Sequence, residues 1–242
     1  MSFELTIVLA VFLVAVLYSS VGHGGASGYL AVMALLAVSP SVTRPTALVL
    51  NLFVASIAFV QFCRAGHFDW RVFAPFAAAS VPMAFVGGMI QIPTTVYKTI
   101  LGAVLMLAAI RLAINLKTMR EPNAPNLWLA LVIGAILGLV SGLIGIGGGI
   151  FLTPILLLMN WTETKKAAGI SALFILVNSI SGLLGNYKQV SQLSSEVFVW
   201  ISVAVIGGII GSTLGSQRFD SLTLRRVLAI VLLVAGVKLF FV

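Results

Sequence analysis

The stretch SSVGHGGASGYL, residues 19 to 30, gathers four glycines, three serines and one histidine in a chain that is otherwise mostly hydrocarbon, and GIGGG at 145 to 149 repeats the glycines. A glycine run that opens a helix offers N–H groups without intrahelical partners at the positive end of the helix dipole, which suits an anion. His23 lies inside the first run, and an imidazole with an ordinary pKa of about 6.5 exchanges a proton in the physiological range. Asn51 and Asn178 interrupt apolar runs; each can donate its amide to an oxyanion or ligate a cation through its carbonyl oxygen. Ser27, Thr46 and Ser171 add hydroxyls. The candidate substrate site is therefore Gly22, His23, Gly24, Gly25, Ser27, Asn51, Gly145, Gly147, Gly148, Gly149, Ser171 and Asn178, arranged for a small anion. Each residue also has a plainer reading: glycines for close helix packing, a histidine bonded to a carbonyl, asparagines bonded between helices, hydroxyls bonded back to their own helix. The separate glycines in VGG (86 to 88) and IGGIIGSTLG (206 to 215) read as packing positions, and Gly87→Ala is expected to matter much less than Gly25→Val or Gly148→Val.

The acids narrow the chemistry by where they stand. Glu4, Asp69, Glu121, Glu163, Glu196 and Asp220 all fall at the ends of apolar runs or in loops, so no carboxylate is placed to relay protons or hold a sodium ion at mid-membrane. Coupling then rests on a proton at His23, on a cation held by carbonyls with Asn or Ser, or is absent. Cys63 is the only cysteine, which excludes an intrachain disulfide and a cysteine metal cluster. There is no HExxH, no paired intramembrane carboxylate and no Cys/His cluster, so an enzyme reading lacks its constellation and no metal or cofactor is implied. The net charge of +8 comes from basic residues scattered through loops, without the clustering that nucleic-acid binding needs. Arg44, ahead of PTALVLN, is expected at the external mouth, attracting anions or snorkelling into the headgroup layer.

The elements that must position these residues are membrane helices. The chain is 60% hydrophobic and 8% charged, with a mean hydropathy of +1.16; a typical soluble domain is about 25% charged. Only a helix satisfies its own backbone in lipid as an open element. An offset of 123 lays residues 21 to 31 on 144 to 154, so that Gly22, Gly24 and Gly25 fall on Gly145, Gly147 and Gly148. An offset of 127 lays 94 to 112 on 221 to 239 and Asn51 on Asn178. The reading is an all-α polytopic membrane protein of two inverted five-segment repeats, each with four long helices and one short helix after a glycine break, giving eight to ten membrane segments. Residues 1–116 form the N-terminal repeat, 117–126 a cytoplasmic linker and 127–242 the C-terminal repeat. The short runs GYLAVMALLAV and GIFLTPILLLM either return to the starting side as hairpins or complete a single broken crossing. With hairpins and an external N-terminus, ten basic residues fall on the cytoplasmic side and Arg44, Lys98, Lys188 and Lys238 outside; the broken crossing gives seven to seven, so positive charge favours the hairpin.

GLIGIGGGIFLTPILLL (142 to 158) followed by AAGISALFILVNSISG (167 to 182) resembles the sulfite exporter TauE/SafE family, also called the TSUP family of membrane permeases, and SVGHGGASGYLAVMAL with RPTALVLNLFVASIAF resembles its N-terminal repeat. The resemblance implies a bacterial inner-membrane carrier, with both termini extracytoplasmic in this topology, moving sulfite, a sulfonate such as sulfoacetate, or a related small anion. His23 and Ala26 depart from the plainer glycine pattern, standing where the second repeat has Ile146 and Gly149. An anion channel or facilitator is the alternative. A coupling ion (H+ or Na+) and a homodimer stay open; the bilayer and a small anionic substrate are the expected partners, nucleic acid is not.

Overall fold

The computed structural model describes residues 3–20, 25–113, 122–191, 193, 196–217 and 221–241. Among the described residues the regular structure is all helix: α1 (Phe3–Ser20), α2 (Ala26–Leu35), α3 (Pro40–Arg64), α4 (Trp70–Met89), α5 (Thr94–Ala113), α6 (Leu127–Ile144), α7 (Gly149–Leu158), α8 (Thr164–Gly185), the single turn α9 (Tyr187–Val190), α10 (Glu196–Gln217) and α11 (Ser221–Phe241). Local chemistry sets several of these limits. Asp69 accepts a hydrogen bond from the Arg71 N–H and caps α4; Asn126 does the same for α6 from Leu129. Gly145, at φ +91°, ends α6 in the left-handed region, and Gly147 and Gly148, at +77° and +74°, carry the chain into α7. Gly25, at +84°, opens α2 in the same way. A side chain is strained at such angles, which is why glycine stands there.

Among the described residues α3, α4, α6 and α8 are long and apolar enough to cross a bilayer by themselves. The two helices after the glycine breaks have 10 residues each, about 15 Å against a hydrocarbon core of about 30 Å. They are nonetheless deeply buried, α2 from Ala26 through Met33.

Close backbone approaches give the directions of packing. A Cβ built on Gly134, Gly138 or Gly142 of α6 would meet the carbonyl oxygens of Phe76, Ser80 and Ala84 of α4, so these two helices run parallel in register. Gly207 and Gly211 of α10 meet Phe12 and Val16 of α1 the same way. Ser181 donates to the Val81 carbonyl oxygen, and Gly185 abuts Phe85, so α8 is parallel to α4 as well. Because α6 and α8 share one direction, α7 between them must bring the chain back. Leu48 faces Gly182 while Asn51 faces Ser179, which sets α3 antiparallel to α8. Residues 102 and 106 of α5 meet 240 and 236 of α11, again antiparallel. Small residues four apart let backbones touch where lipid supplies no hydrophobic drive between helices.

The glycines read as packing positions at 86–88 and 207–211 do pack, but the expected mildness of Gly87→Ala is overturned. A methyl group on Gly87 would strike the Leu139 carbonyl oxygen and lie 2.9 Å from the Leu143 nitrogen, both fixed backbone atoms.

Candidate functional site

The second glycine break is buried from Gly145 to Ile150 and lies against α3 and α8. A Cβ on Gly147 would sit 2.9 Å from Asn51 Nδ2 and 2.8 Å from the Ile175 side chain; on Gly148 it would meet the Phe174 ring at 2.8 Å; on Gly149, the Ser171 carbonyl oxygen at 2.9 Å. The structure therefore brings Asn51, Gly147, Gly148, Gly149 and Ser171 together, with the asparagine coming from the other half of the chain. Asn51 donates to Ser179 Oγ at 3.3 Å. Asn178 donates to the Phe174 carbonyl oxygen of its own helix at 2.8 Å. Both asparagine Oδ1 atoms are buried without a partner, as are the hydroxyls of Thr46, Ser141 and Tyr29. A buried polar atom left unpaired costs about 1–3 kcal/mol, so Asn51 Oδ1, on the side chain that abuts Gly147 at the helix break, is the kind of exception that calls for a functional explanation.

The remaining candidates divide. Ser171 Oγ is 2.7 Å from Thr153 Oγ1 on α7, and Ser27 Oγ is 2.8 Å from the Tyr18 hydroxyl on α1. The two short helices are thus each tied to a long one by a hydroxyl pair, α2 to α1 and α7 to α8. Gly25 faces the ring of Tyr29, one turn further on. Gly22, His23 and Gly24 lie outside the described residues. Ser179, Thr153, Tyr18, Tyr29 and Tyr97 were not among the sequence candidates; a buried tyrosine or serine in an apolar run carries no spacing signal that separates it from an ordinary packing residue.

Arg44 is the largest correction. It is neither a mouth charge nor a snorkelling one: it is 4% exposed and is the one buried charged residue among those described. Its Nε donates to the Gly142 carbonyl oxygen at 2.9 Å, Nη1 to Ile90 at 3.0 Å, and Nη2 to Gly87 and Gly88 at 2.6 Å each. These carbonyls belong to the ends of α6 and α4, where the last turn has no intrahelical donors and the dipole is negative. A planar guanidinium with five N–H donors can serve four such oxygens at once. Tyr97 completes the arrangement by donating to the Ile144 carbonyl oxygen at 3.1 Å. The Arg44 backbone oxygen also lies 2.8 Å from the Cβ position of Gly145. Arg44 and Tyr97 together hold the terminus of α6 from which the glycine break departs.

Comparison with known proteins agrees with the sequence resemblance. The model of the family described as sulfite exporter TauE/SafE matches residues 7–239. The chain is 38% identical over 240 residues to the probable membrane transporter protein y4hK of Sinorhizobium fredii, covering 96% of each chain. It is 27% identical over 256 residues to the probable membrane transporter protein YjnA of Bacillus subtilis, covering 98% of this chain and 99% of that one. No solved structure matches.

Proposed function

The chain belongs to the sulfite exporter TauE/SafE family and is a multi-pass membrane transporter, and from that premise we propose that it moves a small sulfur-containing oxyanion across the bacterial inner membrane by alternating access. The observation that carries the reading is the cluster around the second glycine break: Gly147 against the Asn51 amide, beside Ser179 and Ser171, in an interior whose one described buried charge is a cation. Backbone N–H groups at the start of α7 and the Asn51 amide are donors suited to sulfite or a sulfonate. By the repeat, Asn178, Ser27 and Gly25 are the counterparts of this cluster in the other half, and His23, in the same glycine run as Gly25, is assigned as either an anion contact or the carrier of a coupling proton. The parallel pairs α4/α6 and α1/α10 and the antiparallel pairs α3/α8 and α5/α11 support two inverted halves, an architecture in which one half rocks against the other around a midplane site. In this reading both termini are extracytoplasmic.

The test is flux in liposomes with sulfite, thiosulfate, sulfoacetate and taurine on one side. Saturable uptake with counterflow is the expected result. Uptake linear in concentration would assign a channel instead, and no flux of any oxyanion would remove the proposal.

A further inference from the structure

The start of α2 is a run of buried backbone donors. Its first intrahelical bond runs from the Tyr29 N–H to the Gly25 carbonyl oxygen at 3.0 Å, so the N–H groups of Ala26, Ser27 and Gly28 precede the ladder. No side chain caps the helix and no acid stands in its first turn, although Ala26 is only 4% and Ser27 2% exposed. Tyr29, one turn in, is fully buried, and among the described residues its hydroxyl has no hydrogen-bond partner. Long side chains on a helix lean back toward its N-terminus, and this one does. A Cβ built on Gly25 would lie 3.0 Å from the Tyr29 hydroxyl oxygen. The phenol is thereby aimed at the same helix end as the N–H groups.

Burial alone does not strand a tyrosine hydroxyl here, since Tyr18 has its own on Ser27 Oγ at 2.8 Å. An unpaired buried hydroxyl lowers stability, and an apolar side chain would fill the place without that loss. Leu152 does so at the matching position of α7, where the offset of 123 lays it on Tyr29. The phenol avoids the loss only when an acceptor occupies the helix start. The N–H groups and the helix dipole offer donors and positive potential, so the acceptor that fits is a small anion with oxygen lone pairs.

We propose that the Tyr29 hydroxyl is a direct contact of the transported oxyanion, donating to an oxygen of a sulfite or sulfonate group seated at the first turn of α2. The proposal rests on the reading of the chain as an oxyanion transporter, and adds to it a side-chain donor that the glycine pattern does not reveal.

Tyr29→Phe removes the hydroxyl and keeps the ring. The full-length wild type and the variant are placed in nanodiscs of phosphatidylcholine, and their melting temperatures are followed with sulfite or chloride at matched ionic strength. Without sulfite, Tyr29→Phe should melt at or above the wild-type temperature, because no bond within the protein is lost. Its Kd for sulfite should rise about ten-fold, as befits a lost hydrogen bond to a charged group, and in liposomes KM should rise by a similar factor with kcat unchanged. Tyr18→Phe, which loses a bonded hydroxyl, should melt below the wild type. A second measurement needs no variant: in wild-type protein carrying ring-deuterated tyrosine, a phenol C–O infrared band should shift when sulfite replaces chloride. If Tyr29→Phe does not fold, that band decides. Unchanged sulfite affinity in Tyr29→Phe, or a phenol band that sulfite does not move, would overturn the contact and leave the transport reading standing. A wild type that binds neither sulfite nor sulfoacetate would overturn both.

Discussion

The residue with the most to say is Arg44, because the cost of its burial is visible in what surrounds it. Four carbonyl oxygens depend on its guanidinium, and each left without a donor costs about 1–3 kcal/mol. Arg44→Met should therefore lower the yield of folded protein sharply, and Arg44→Lys should recover little, since an ammonium cannot reproduce the planar fork; detergent-extracted yield and thermal stability check both. Asn51 makes the opposite expectation. Its hydrogen bond to Ser179 crosses between helices, and such bonds in membranes are worth about 0.6 kcal/mol on average. Asn51→Ala should barely change thermal stability while transport falls at least ten-fold; a stable variant with normal flux would return Asn51 to packing. His23 is tested by His23→Gln with and without an imposed pH gradient. If the imidazole carries the coupling proton, uphill accumulation should vanish in the variant while exchange survives in part. Unchanged accumulation would pass the coupling to Asn51, Asn178 and backbone carbonyls.

At the scale of the element, the glycines fall into two kinds, and the structure separates them by conformation. Gly145, Gly147 and Gly148 have left-handed φ and shape a break. Gly87, Gly138 and Gly142 are helical, and their missing side chains let α4 and α6 touch backbone to backbone. Gly87→Ala and Gly138→Ala should each cost about 1–3 kcal/mol by forcing the pair apart, seen as a lower melting temperature with substrate affinity unchanged in the surviving fraction. Gly147→Ala is expected to do the reverse. Its methyl would press on the Asn51 amide and its left-handed φ adds strain of about 1–2 kcal/mol, so transport should fail even in the fraction that stays folded. If melting temperature and transport decline together at all three positions, the division between packing and site glycines is wrong.

At the scale of the whole molecule, helix directions make a topological prediction. Lys165, at the start of α8, and Lys188, just beyond its end, lie at opposite ends of one spanning helix. In intact cells a membrane-impermeant amine reagent should label Lys188 and spare Lys165. Labelling of Lys165 from outside would reverse the proposed orientation.

What the sequence determined by itself was whatever depends on composition and periodicity. Membrane helices, the duplicated glycine stretches and the family follow from apolar runs too long and too uncharged for a soluble domain, and from glycines recurring at matched positions. The brevity of α2 and α7 was legible too, since run length needs no partner. Tertiary structure decided what depends on which atoms meet. It set Asn51 against Gly147, paired hydroxyls across helices, and closed four carbonyls around Arg44. It also turned Gly87 from a tolerant position into an intolerant one. The physical reason is common to all of these: in lipid, a polar atom or a missing side chain has its consequence fixed by the neighbouring helix, and a single run of sequence carries no record of that neighbour.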